Sequence, residues 1–89
     1  MKAVLQTRQF KRDVKRLQRR GKDLAKLKVV VQWLVEDQVL DSRLRDHALA
    51  GEWAGSRDCH LEPDWVLIYR MTADSVVLER TGTHSDLFK

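Results

Sequence analysis

Residues 56–71 read SRDCHLEPDWVLIYRM, and a helical period does not fit them. Ser56, Asp58, His60 and Glu62 alternate with Arg57, Cys59 and Leu61, the period of two that sends successive side chains to opposite faces of a strand. Residues 65–71 are then apolar on both faces apart from Arg70, the pattern of a strand covered on both sides. Residues 75–81 alternate again, and regular alternation puts Val76, Leu78 and Arg80 on one face.

Toward the amino terminus the period changes. Residues 3–6 form a short candidate strand, and Thr7 is placed to cap the helix that follows. Phe10, Val14 and Leu17 fall at i, i+4 and i+7, one apolar stripe. Arg8, Arg12, Lys15, Arg16 and Arg19 occupy the other side, either as a solvated face or as a contact surface for RNA or a protein partner. Gly21 can end this helix in a left-handed conformation. A second helix is predicted over 23–37 with Leu24, Leu27, Val31 and Leu34 on one face, and Trp33 widening the packing surface. Residues 38–53 read as an irregular connection ending near Gly51 and Gly55. The expected architecture is α+β, with a two-helix hairpin packed on one face of a small, largely antiparallel sheet. It forms a single domain over residues 1–89.

A chain of 89 residues buries roughly 60–65% of its unfolded surface, so the core is modest. Cys59 is the only cysteine, so no internal disulfide supplements that core, as suits a reducing compartment. The first apolar stretch ends within a few residues, and no run approaches the roughly 20 apolar residues of a membrane helix. A cytoplasmic protein without membrane contact is expected. The net charge of +4 conceals an asymmetry: residues 1–45 carry +8 and residues 46–89 carry −4. A basic half of that density suits a polyanion or an acidic protein.

The three histidines, His47, His60 and His84, all lie in the second half. Histidine accepts or donates a proton near neutral pH, so a cluster of them suits acid–base work; singly, each reads equally well as a hydrogen-bonded surface residue. Asp58 and Asp64 flank the middle one and read as turn or ion-pair residues. Arg80 needs a partner, either an internal carboxylate such as Asp58 or Asp64 or a substrate phosphate. Trp65 is either core or a platform for a base. Phe88 reads as an anchor for the tail, and Cys59 as a buried thiol. His60 and Asp64 have a spacing that suits metal ligation on a helix, but Pro63 and the strand context oppose it. No paired cysteine, glycine-rich phosphate loop or serine nucleophile motif is present, and no metal or cofactor is expected.

Four segments carry a resemblance: residues 46–47, 51–60 (GEWAGSRDCH), 62–69 (EPDWVLIY) and 79–88 (ERTGTHSDLF). Together with the basic helical hairpin they closely resemble the YafQ branch of the RelE-type toxins of bacterial type II toxin–antitoxin systems. The last two segments are specific over many positions. An aromatic commonly stands where this chain has Ser56, and a proline where it has Ala48, differences that bear on codon preference.

The resemblance implies a RelE-like fold and a ribosome-dependent mRNA endonuclease that cuts in the ribosomal A site and inhibits translation. It implies a cognate antitoxin as partner, with promoter DNA contacted only through that complex. It implies a catalytic group of His47, His60, His84, Asp64 and Arg80, an RNA-binding surface of Trp65, Phe88 and Arg80, and Asp58 as a further member. Metal-free RNA cleavage needs a base for the 2′-hydroxyl, a cation near the phosphate and an acid for the leaving 5′-oxygen. His84 is assigned as the acid, and His60 or His47 as the base. The alternatives are a non-catalytic RNA- or ribosome-binding module and a transcriptional co-repressor acting with the antitoxin.

Overall fold

The computed structural model describes residues 2–88; Met1 and Lys89, the two ends of the expected domain, lie outside the described residues. The order is β1 (Ala3–Gln6), α1 (Arg8–Arg19), α2 (Ala25–Val35), β2 (His47–Ala48), β3 (Arg57–Glu62), β4 (Trp65–Met71), β5 (Ser75–Gly82) and α3 (His84–Leu87). The strands form one sheet in the order β1-β5-β4-β3-β2. Only the β1–β5 pairing is parallel. The expected α+β class with a helical hairpin on a largely antiparallel sheet is what forms, with a four-residue third helix that periodicity did not reveal.

Local chemistry sets the helix ends. The Thr7 hydroxyl accepts the Phe10 N–H and caps α1, and Gly21 adopts φ 81° beyond its end. The helix α2 is shorter than predicted. The Asp23 carboxylate accepts the Ala25 N–H and so turns the chain before the helix, while Asp37 at φ 57° stops it. Its buried residues are Leu27, Val30, Leu34 and Val35; Leu24 and Val31 flank the core instead of centring it, and Trp33 packs at its margin.

The central strand β4 explains the apolar run of the sequence. Trp65, Leu67 and Tyr69 face the helices and pack with Phe10, Leu17, Leu27 and Leu34. Val66 and Ile68 face the other way, under Leu87 with Leu49 and Trp53 beside them. Each large side chain buried in this way contributes about 1.5–3 kcal/mol. The second layer is thin, and it is the layer on which the candidate site is built. No helix among the described residues is long and apolar enough to cross a membrane.

Two irregularities position site residues. The β4–β5 register shifts between Ile68 and Tyr69: Tyr69 pairs with Leu78, but Ile68 pairs with Arg80. Glu79 is the extra residue, so Arg80 lies on the Ile68 face and not with Val76 and Leu78, as regular alternation predicted. Secondly, β1 covers β5 only as far as Leu78. Beyond it Thr7 donates its N–H to the Leu78 carbonyl and its hydroxyl to the Glu79 carbonyl, and Asp13 of α1 accepts the Thr81 N–H. A helix side chain thus satisfies a strand edge that would otherwise leave its N–H unpaired.

Candidate active site

On the sheet face away from the hairpin, β2 pairs His47 with Asp58 and β3 pairs His60 with Val66. His84 opens α3 immediately after β5. The three rings form a row. The His47 and His60 centroids are 6.3 Å apart at 20° between planes, and His60 and His84 are 5.3 Å apart at 31°. Phe88 continues the row 6.1 Å beyond His84.

One carboxylate fixes the far end. Asp64 Oδ1 accepts the His84 backbone N–H at 2.9 Å and lies 2.7 Å from His84 Nδ1. These bonds hold the Asp64 carboxyl below the usual carboxylate range. With Nδ1–H donated to Asp64, Nε2 is the nitrogen left for a substrate. The helix start is itself locked by a capping box, in which the Thr83 hydroxyl accepts the Asp86 N–H and the Asp86 carboxylate accepts the Thr83 N–H. Gly82 permits this closure, since a Cβ there would lie 2.8 Å from Asp86 Oδ2. Arg16 at 3.1 Å and Arg20 at 2.9 Å grip Asp86 from α1, and Arg20 is the main cause of a strongly depressed Asp86 carboxyl. Arg16 therefore does not belong to the free basic face predicted for α1.

The near end is different. His47 Nδ1 donates to the Arg45 carbonyl at 2.8 Å, which leaves its Nε2 lone pair available in the neutral ring. The same Nδ1 lies 2.9 Å from Asp58 Oδ1, but its single N–H is directed at the carbonyl. Asp58 Oδ1 and His60 Nδ1 are buried without a hydrogen bond among the described residues. Burial raises the Asp58 carboxyl, with His47 and then His60 opposing that shift. An under-satisfied carboxylate beneath two histidines is an expensive arrangement to build unless it serves the rings above it.

The remaining sequence candidates fare differently. Trp65 is 1% exposed, and its indole N–H donates to the Thr81 hydroxyl inside the helix-side core. It cannot stack on a base from there, and the RNA-contact expectation for Trp65 is corrected to a core role; Lys22 Nζ lies 5.2 Å above its ring centre. Arg80 pairs with an internal carboxylate, though neither Asp58 nor Asp64: its Nε and Nη2 donate to Asp13 at 2.8 and 3.2 Å. One edge of its fork is therefore engaged, while Nη1 makes no hydrogen bond to the described residues. Asp13, 1% exposed, also receives Arg16 and the Thr81 N–H. Nothing in the period of α1 singled it out, apart from being an acid in the basic helix. Phe88 is 41% exposed beside His84, and the tail anchor is Leu87. Cys59 is fully buried, and its thiol is pushed up to about 12 by that burial, which fits an inert thiol.

Similarity to known proteins is extensive. The family model for the YafQ bacterial toxin of type II toxin–antitoxin systems matches residues 2–89. The mRNA interferase toxin YafQ of Escherichia coli K12 is 47% identical over 81 residues, covering 90% of this chain and 88% of that protein. The E. coli DinJ–YafQ complex contains a chain with TM-score 0.92 and 42% identity, covering 100% of both. A metal-bound toxin from Helicobacter pylori superposes with TM-score 0.92 at 37% identity, covering 99% of this chain and 100% of that one. In the present arrangement no group of three or more His, Cys, Asp or Glu side chains among the described residues is poised as a metal-ligand set.

Proposed function

Because this chain belongs to the YafQ family of bacterial type II toxins, we propose that it is an mRNA interferase, an endoribonuclease restrained by a cognate antitoxin as YafQ is complexed with DinJ. It acts on mRNA in the ribosomal A site, in the cytoplasm, as a single domain, and it reaches promoter DNA only through the antitoxin complex. The observation that carries this reading is the row of three histidines ending on Asp64.

The row supplies the acid and base of an internal transesterification. His47, its Nδ1–H held by the Arg45 carbonyl, takes the ribose 2′-hydroxyl proton at Nε2. The 2′-oxygen attacks the adjacent phosphorus, and the bond from phosphorus to the 5′-oxygen breaks. His84 delivers its Nε2 proton to that leaving oxygen, giving a 2′,3′-cyclic phosphate and a 5′-hydroxyl. A protonated His84 has its charge balanced by Asp64 at 2.7 Å. His60 lies between the two, over the buried Asp58, and sets the spacing. Arg80, steadied by Asp13, offers its free Nη1 to the phosphate, and Phe88 offers its exposed ring to a flanking base. The steps use only the chain's own acids and bases.

Purified protein incubated with programmed ribosomes and, separately, with the same mRNA free in solution tests this. Mapped 5′ ends should appear at A-site codons of the ribosome-bound message. Equal cutting of both would contradict ribosome dependence, and cutting of neither would contradict the nuclease.

A further inference from the structure

The histidine row opens sideways into a cavity of about 740 Å³. Val29 and Trp33 of α2, Leu44 and Arg45 of the connection after it, and His60 and His84 line it. It is continuous with the proposed reaction centre, largely apolar, and large enough for a nucleobase and its sugar.

Of the cations that line it, Lys26 pairs with Glu62 and Arg43 with Asp41. Among the described residues Arg45 makes no side-chain hydrogen bond or ion pair. Its backbone is left-handed, at φ 50° and ψ 44°, a conformation that costs on the order of 1 kcal/mol or more for a residue with a Cβ. The turn is held because the Arg45 N–H donates to the Ser42 carbonyl and its own carbonyl accepts His47 Nδ1. Glycine or asparagine would hold the same turn with less strain. The backbone therefore explains a turn here, but not an arginine.

We propose that Arg45 is a substrate-binding residue: its guanidinium takes the phosphate of the nucleotide flanking the cut while that nucleotide's base occupies the cavity. The inference rests on the nuclease reading above. RNA is favoured over an acidic peptide because the cavity is lined by His84, the proposed acid for the leaving 5′-oxygen, with His60 beside it, so an RNA chain held at the reaction centre runs into it.

The test is single-turnover cleavage of ribosome-bound mRNA across toxin concentrations by the wild type, Arg45→Gln, Arg45→Gly and Arg45→Lys, with Lys28→Gln as an equal charge change on exposed α2 surface. Arg45→Gln and Arg45→Gly should lower the ratio of rate to half-saturating concentration about tenfold or more, with melting temperatures at or above the wild type for the glycine variant. Arg45→Lys should recover most of the loss, and Lys28→Gln should stay within twofold of the wild type. Arg45→Gly cutting like the wild type would overturn the proposal, because it would leave only the turn. Normal cutting by Arg45→Gln with about tenfold weaker antitoxin binding would also overturn it and assign the cavity to an acidic peptide. If the wild type itself cuts neither ribosome-bound nor free mRNA, the nuclease reading fails first, an outcome distinct from failure at Arg45 alone.

Discussion

His84 and His47 carry the same side chain, yet their Nδ1 partners differ, a carboxylate for one and a backbone carbonyl for the other, and the proposed division into acid and base follows from that difference. Residue types alone could nominate three histidines but could not join them. The row depends on a two-residue strand, the β2–β3 register and a four-residue helix, all too short to leave a period. Trp65 shows the opposite error: an indole that opens a strand suits both core and stacking, and only the Thr81 hydroxyl beneath it decides for core. Asp58 provides a test at this scale. Its folded-state carboxyl lies above the ordinary value because it is buried, so ionisation is less favourable in the native state than in the unfolded one. The resulting penalty is absent below the unfolded value, sets in as pH rises through this range, and is complete above the folded value. Asp58→Asn should therefore raise the melting temperature at pH 7 and lose that advantage toward pH 3, while cleavage falls because the carboxylate under His47 is gone. Melting curves at the two pH values, with single-turnover rates at pH 7, check both halves; an equal shift at both pH values would refute the burial account.

Among the elements, α1 does more than pack its apolar stripe. Asp13 closes the β5 edge and holds Arg80, and Arg16 and Arg20 hold Asp86 at the start of α3. The helix therefore braces the proposed reaction centre from the opposite layer. Although α2 has no side-chain cap, the positions of β1, β3, β4 and β5 and the hairpin were legible because their periodic runs are long enough to read and Thr7 is a conventional cap for α1. The bulge at Glu79 was not, since one extra residue leaves the amino-acid pattern intact while it moves Arg80 to the other face. Asp13→Ala should cost about 3–5 kcal/mol, the scale for removing one partner of a buried charge pair. It leaves the Thr81 N–H without an acceptor as well. Urea unfolding measures the loss, and a change below about 1 kcal/mol would mean that water replaces the carboxylate. Arg80→Lys should likewise lose stability and activity together, because the engaged fork is structural as well as chemical.

Across the whole molecule, the exposed basic face of α1 and the histidine row separate. The exposed residues Arg12, Lys15 and Arg19 lie on the hairpin layer, and the histidine row lies on the other side of the sheet. Reversing Arg12 and Lys15 to glutamate should weaken ribosome binding and flatten its salt dependence, by about 0.7–0.9 in logarithmic slope for each phosphate that is no longer neutralised. The cleavage rate at saturation should stay unchanged. An unaltered slope would make that face a solvated one. The charge asymmetry along the chain was readable from composition, whereas its division between two layers required the fold. The histidine row is the proposed centre of RNA cleavage, and His84 is its most exposed point of failure. The decisive measurement is the single-turnover rate of His84→Ala on programmed ribosomes, with ribosome affinity and melting temperature taken on the same preparation. A rate at least about 100-fold below the wild type, at the scale expected for loss of a general acid and with affinity and stability retained, is the predicted result; a folded His84→Ala protein that cuts at the wild-type rate would contradict the account.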